Sequence, residues 1–166
     1  MLKIIHKFRE LPIKDMLWIY AEGIQENGKV QYKALSENEQ ILSAEQDMYD
    51  FLRMFMREES NFYALWGSAG RYVSALRMEP YQDGYLLEAL ETAPDVRGRG
   101  YAKALVQETL GYLKSVDNLP VYSHINKNNL QSLAVHCACG FERILEHAVY
   151  IDGSIMHNCC TMCFKG

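Results

Sequence analysis

The sequence contains no apolar run approaching the roughly 18 residues a membrane-spanning helix needs, so an integral membrane helix is excluded. Its opening, MLKIIHKFRE, alternates apolar and charged residues and lacks the apolar centre of a secretory signal. There is no surplus of basic residues. With 17 Lys and Arg against 21 Asp and Glu, the net charge is −4, which argues against nucleic acid or an anionic membrane as partner. No internal repeat, linker or low-complexity stretch divides the chain. The 166 residues, 49% apolar and 23% charged, are enough to bury a core, and a single cytoplasmic domain over 1–166 is expected.

Five cysteines are present, and their spacing speaks against a metal site. Cys160 and Cys163 fall in an expected strand, where an odd spacing sends side chains to opposite faces. Cys137 and Cys139, near the end of an expected helix, lie about 200° apart around its axis. Reduced core thiols are the better reading, and no metal is expected.

Periodicity divides the rest. Residues 2–8 read as a strand, Ile13, Leu17, Tyr20, Ala21 and Ile24 recur at one helical spacing, and a helix is expected over 37–58 behind the Ser36–Glu39 capping box. Three strands then follow as a meander: FYALW, RYVSALRME and YLLEALET, separated by turns at Gly67–Gly70 and Gln82–Gly84. A helix carrying Ala102, Leu105, Val106, Thr109 and Leu110 comes next, then a strand over 120–125 and a helix over 129–139 ending at Gly140. Two final strands are expected, joined at Asp152–Gly153. The order βααβββαβαββ predicts one α/β (α+β) domain with a mixed central sheet.

The stretch APDVRGRGYAKALV, residues 93–106, opens its helix on two glycines flanked by arginines, with no Ser, Thr, Asp or Asn to cap the first turn. A helix start exposes unpaired N–H groups and partial positive charge, so the residue choice suggests an anion as the cap. The spacing matches neither a triphosphate P-loop nor a dinucleotide fingerprint. Arg97-x-x-Gly100-x-Ala102 instead resembles the Q/R-x-x-G-x-G/A signature of the GNAT superfamily of N-acetyltransferases. Further on, the segment from Asn129 through Ser132 and His136 to Gly140-Phe141 resembles that family's N-x-x-A/S-x-x-x-Y-x-x-x-G-F. The likeness covers most of the chain and is specific from about 84 to 142.

The resemblance implies direct transfer of acetyl from acetyl-CoA to a primary amine of a small molecule or peptide. It implies that the backbone N–H groups of Arg97, Gly98, Arg99, Gly100, Tyr101 and Ala102 hold the pyrophosphate. The preceding strand, at Leu90, Glu91 and Thr92, would lend its backbone to the pantetheine and the acetyl carbonyl, and Asn129 and Ser132 would touch the cosubstrate. Regular alternation puts Glu88, Leu90 and Thr92 on one face and Leu87, Ala89 and Glu91 on the other. Glu88 is the first candidate for general base and Glu91 the second, against the plainer reading of an exposed strand glutamate. His136 stands where the family tyrosine protonates the leaving thiolate, and three readings stay open: acid, coenzyme A contact, or packing. His124 either lines the acceptor site or is structural.

The acceptor side is expected to draw on Trp18, Tyr20, Glu22, Glu26, Tyr32, Tyr150 and His157, although aromatic residues at such spacings also suit a core. The competing reading is a non-catalytic acyl-CoA sensor, which would keep the cradle without a working acid or base. Exposed strands near the C-terminus could pair in a homodimer.

Overall fold

Ile5, Tyr63, Leu65 and Ala75 point one way while Leu76, Met78 and Leu87 point the other, so the central sheet is buried on both faces. The computed structural model describes residues 1–166. Strands β1 (Leu2–Ile5), β2 (Phe62–Ser68), β3 (Arg71–Tyr81), β4 (Gly84–Thr92), β5 (Val121–Asn126), β6 (Glu142–Leu145) and β9 (Cys159–Phe164) form a seven-stranded sheet. Their order is β1-β2-β3-β4-β5-β9-β6, and only β4 and β5 run parallel. Helices α1 (Ile13–Ile19), α2 (Ala21–Gln31) and α3 (Glu37–Phe55) lie on one side; α4 (Tyr101–Val116) and α5 (Leu130–Ala138) lie on the other. Leu105, Val106 and Leu110 of α4 pack on Leu76, Met78 and Leu87. Each such fully buried side chain contributes about 2 kcal/mol.

The single helix expected over 13–24 is two. The chain breaks at Tyr20 (φ −94°, ψ 14°), whose hydroxyl crosses to the Ala89 carbonyl at 2.7 Å. The carboxylate of Asp15 holds α1 to the sheet by accepting the Tyr72 N–H at 2.9 Å. The capping box forms as expected, with Glu39 Oε2 accepting from the Ser36 N–H at 3.0 Å and its hydroxyl at 2.6 Å. The α3 helix stops three residues short of the expected end.

The first strand ends at Ile5, ahead of a 3₁₀ turn over Phe8–Glu10. The C-terminal region has four strands where two were expected. Between β6 and β9, the Asp152–Gly153 turn closes a small hairpin of its own, β7 (Ala148–Val149) with β8 (Ile155–Met156). The last strand then inserts between β5 and β6.

Two irregularities position the site. The parallel ladder of β4 with β5 has three pairs, Tyr85–Val121, Leu86–Tyr122 and Leu87–Ser123, and stops there although both strands continue. In β4, Ala89 and Leu90 together oppose a single residue of β3, because Arg77 pairs with Glu88 and Ala75 with Glu91. This bulge, with Ala89 at φ 50°, overrides the expected alternation. Arg77 and Ala75 share a face, so their partners Glu88 and Glu91 share it too, on the side of α1 to α3, while Leu90 packs toward α4.

Candidate active site

After β4 and a 3₁₀ turn over Pro94–Val96, the backbone takes left-handed values at Gly98 (φ 76°) and Gly100 (φ 79°) and enters α4. No backbone N–H of residues 97–103 donates a hydrogen bond within the protein, and no side chain caps the helix. Glycine is required here because other side chains rarely adopt such φ, and a Cβ at either position would meet no atom within 4 Å. Free backbone N–H groups at a helix start, beside open space, are the arrangement an anion cradle requires.

Beside this cradle, β4 and β5 part. Cross-strand register aligns Tyr63, Arg77 and Glu88 across β2, β3 and β4. Where the parallel ladder ends, His124 of β5 follows in line, paired in turn with Thr161 of β9. Arg77 Nε and an Nη donate to the same Glu88 oxygen at 3.1 and 2.7 Å. Burial works against the charge of Arg77, but the Glu88 carboxylate outweighs it and holds its pKa above the usual value. Glu79 also contacts Glu88, and burial together with that neighbour pushes its pKa up to about 7. Burial pushes the pKa of His124 down, opposed by Glu88. Both ring nitrogens of His124 are enclosed without a partner, between the Tyr81 and Tyr150 rings at 5.2 and 5.0 Å.

Between α2, α3 and this face of the sheet lies a cavity of about 420 Å³. Tyr20, Tyr63, Arg77 and Ala89 form its floor at the β4 bulge, and Ile24, Ala44, Met48 and Phe51 its walls. Asn27, Gln31, Tyr32 and Asp47 belong to the same lining and are its more exposed, polar portion. Tyr20 and Tyr63 stay neutral phenols, since burial raises both, Tyr63 to about 12.

Residues 29–141 match the family model described as the Acetyltransferase (GNAT) family. The chain belongs to that family. Membership places it among the acetyl-CoA-dependent N-acetyltransferases. No curated protein matches the sequence. Among solved structures, the PaiA N-acetyltransferase from Thermoplasma acidophilum, in complex with coenzyme A, is 13% identical with TM-score 0.67, covering 100% of this chain and 99% of its own. A ribosomal-protein-alanine N-acetyltransferase from Brucella melitensis is 15% identical with TM-score 0.67, over 100% and 99%. A spermidine N-acetyltransferase SpeG chimera from Vibrio cholerae and hSSAT is 19% identical with TM-score 0.64, over 99% and 95%. At these identities the likeness is one of fold.

The side chains expected around the acetyl-CoA site of this acetyltransferase divide into free and committed groups. Arg99 makes no ion pair. Arg97, one of the two arginines flanking the glycines, has its side chain committed elsewhere. Its guanidinium sits between Glu22 at 2.6 Å and Glu91 at 3.3 Å, and its Nε donates to the Thr92 carbonyl at 3.1 Å. Two carboxylates cancel its charge, so its work is to tie α2 to the end of β4. Burial raises the pKa of Glu91, with Arg97 opposing. The Tyr101 hydroxyl lies 3.2 Å from Ser68 Oγ. Asn129 caps α5 by accepting the Ser132 N–H at 3.0 Å.

His136 is buried against Phe141, with Nδ1 2.8 Å from the Ser132 carbonyl. A carbonyl only accepts, so the neutral ring carries its proton on Nδ1 and leaves a lone pair on the enclosed, unpartnered Nε2. Burial lowers its pKa, with the Ser132 bond opposing.

Of the expected acceptor-side residues, Tyr20 and Tyr32 line the cavity. Trp18 is instead covered by the Arg71 guanidinium, 3.2 Å from its ring centre. Sequence reasoning missed Arg77, Glu79, Tyr63 and Asp47. A glutamate and an arginine two apart in an otherwise apolar strand, LRMEPY, were a usable signal; Asp47, on an ordinary helix surface, gave none.

Proposed function

We propose that this chain moves an acetyl group from acetyl-CoA directly to a primary amine of a small molecule or peptide. The observation that carries this reading is the run of unpaired N–H groups at residues 97–103, beside the parting of β4 and β5 and the cavity on the acceptor side. Acetyl-CoA, when bound, supplies an acyl group activated as a thioester. The backbone of Arg97, Gly98, Arg99, Gly100, Tyr101 and Ala102 would hold its diphosphate, with the Arg99 side chain adding charge. Leu90, Glu91 and Thr92 would border its acyl end, and Asn129 and Ser132 would flank it from α5. On the other side of the cleft, the cavity would orient the amine toward the β4 bulge.

Glu88 is proposed to receive the ammonium proton. One of its oxygens is committed to Arg77, and Glu79 beside it offers a second carboxyl able to hold a proton near neutral pH. His136 can act as acid toward the thiolate only as an imidazolium, which burial opposes. That same observation favours a second reading, an acyl-CoA sensor without turnover.

Thiol release with a panel of amines separates the two readings, since a sensor releases none. Acetyl-CoA at a hundredfold excess over its dissociation constant should stabilise the fold by about 2.7 kcal/mol. Gly100→Val should abolish that shift, because valine cannot comfortably hold φ 79° and its branches would enter the open space of the cradle. A full thermal shift in the variant would overturn the assignment of this loop.

A further inference from the structure

The cavity at the β4 bulge has a graded lining. Its floor is phenolic rings and the bulge itself, its walls are apolar, and its charge is divided unevenly. Two charged side chains line it, Arg77 and Asp47. Arg77 is matched: its donors go to Glu88, and its guanidinium lies against the Phe51 and Phe55 rings at 4.7 and 5.4 Å. Asp47 makes no ion pair. One of its oxygens accepts the Tyr32 hydroxyl at 2.6 Å, and the residue is exposed. The lining therefore keeps one unmatched negative charge, at its exposed end and next to an aromatic ring.

The surroundings carry the same sign. Helices α2 and α3 together hold seven carboxylates (two and five) against two basic residues, Lys29 and Arg53. Such a field draws cations toward the cavity and holds anions off. A simple alkylamine would use the floor and walls and leave Asp47 unanswered.

We infer that the acceptor is a linear amine with a second cationic group, an α,ω-diamine or longer polyamine, whose distal ammonium is read by Asp47 and the Tyr32 ring while its near nitrogen reaches the β4 bulge. Its polymethylene chain lies along Ile24, Met48 and Phe51. This rests on the acetyl-transfer reading, because only an amine to be acetylated needs its near end at β4. Asp47 is then a specificity residue and takes no part in the chemistry.

Calorimetric binding and thiol release test this with diaminobutane, butylamine and aminobutanoate, on the wild-type chain and on Asp47→Asn. A partly exposed ion pair assisted by a ring predicts that diaminobutane binds about fivefold to tenfold more tightly than butylamine at low salt. The preference should shrink as salt is added and collapse in Asp47→Asn. Equal binding of the two amines, a preference that survives Asp47→Asn, or tighter binding of aminobutanoate would each overturn the inference. Binding and turnover are read separately: Asp47-dependent diamine binding without thiol release would remove the transfer reading and leave the charge reading standing.

Discussion

At the residue scale the decisive features are polar groups in unusual surroundings. Glu79 is one case. In the unfolded chain its carboxyl titrates near 4.5, and in the fold its pKa is pushed up to about 7. A raised carboxyl pKa means that the folded state binds the proton more tightly. Its contribution to stability is therefore complete below about 4.5 and is lost as pH rises through about 7. Denaturant unfolding followed from pH 4 to 8 should show this loss in the wild type, and Glu79→Gln should flatten it. An unchanged slope in the variant would mean that Glu79 titrates normally. The companion change acts on rate: Glu88→Gln should keep the acetyl-CoA thermal shift and lower turnover about 10²- to 10⁴-fold, the usual range for a lost general base. Wild-type turnover in that variant would point to deprotonation by solvent.

At the scale of elements, what the sequence made legible followed period and capping. The β2-β3-β4 meander, the uncapped start of α4 and the Ser36 box lie where the residue pattern predicts them. What it concealed came from long-range contacts. The apolar spacing runs unbroken through Tyr20, and only the bond to Ala89, 69 residues away, marks the division of α1 from α2. The bulge at Ala89 and Leu90 is equally silent, because neither residue is a glycine or proline, yet it puts Glu88 and Glu91 together on the face toward α1 to α3. Arg97 sits at its expected place in the chain, but its side chain answers to Glu22 on a distant helix.

The packing of α2 on α3 yields a further prediction. A Cβ at Gly28 would stand 2.7 Å from the Gln40 carbonyl oxygen, backbone that cannot swing aside. Gly28→Ala gains about 1 kcal/mol of helix propensity but costs about 1–3 kcal/mol in overpacking, so a net loss of thermal stability is expected. A rise in melting temperature would show that the two helices separate freely.

At the scale of the whole molecule, four antiparallel strands, β1 to β4, meet three others, β5, β9 and β6, through three parallel pairs. The backbone past that junction, Glu88 to Thr92, has no ladder partner on the β5 side. Hydrogen exchange should therefore be faster at several amides of 88–92 than at Tyr85 to Leu87, and acetyl-CoA should slow it there. Equal protection in the free protein would contradict the parting of the strands.

The three-rung junction also bears on mechanics. A sheet whose halves are joined by so short a seam is weakest along that seam, and the cosubstrate is proposed to lodge there. Occupancy would then work like a rivet, fastening two rigid plates that otherwise can scissor. Under tension applied across the β4–β5 seam, the loaded molecule should yield at higher force than the free one, although no strand has changed its fold.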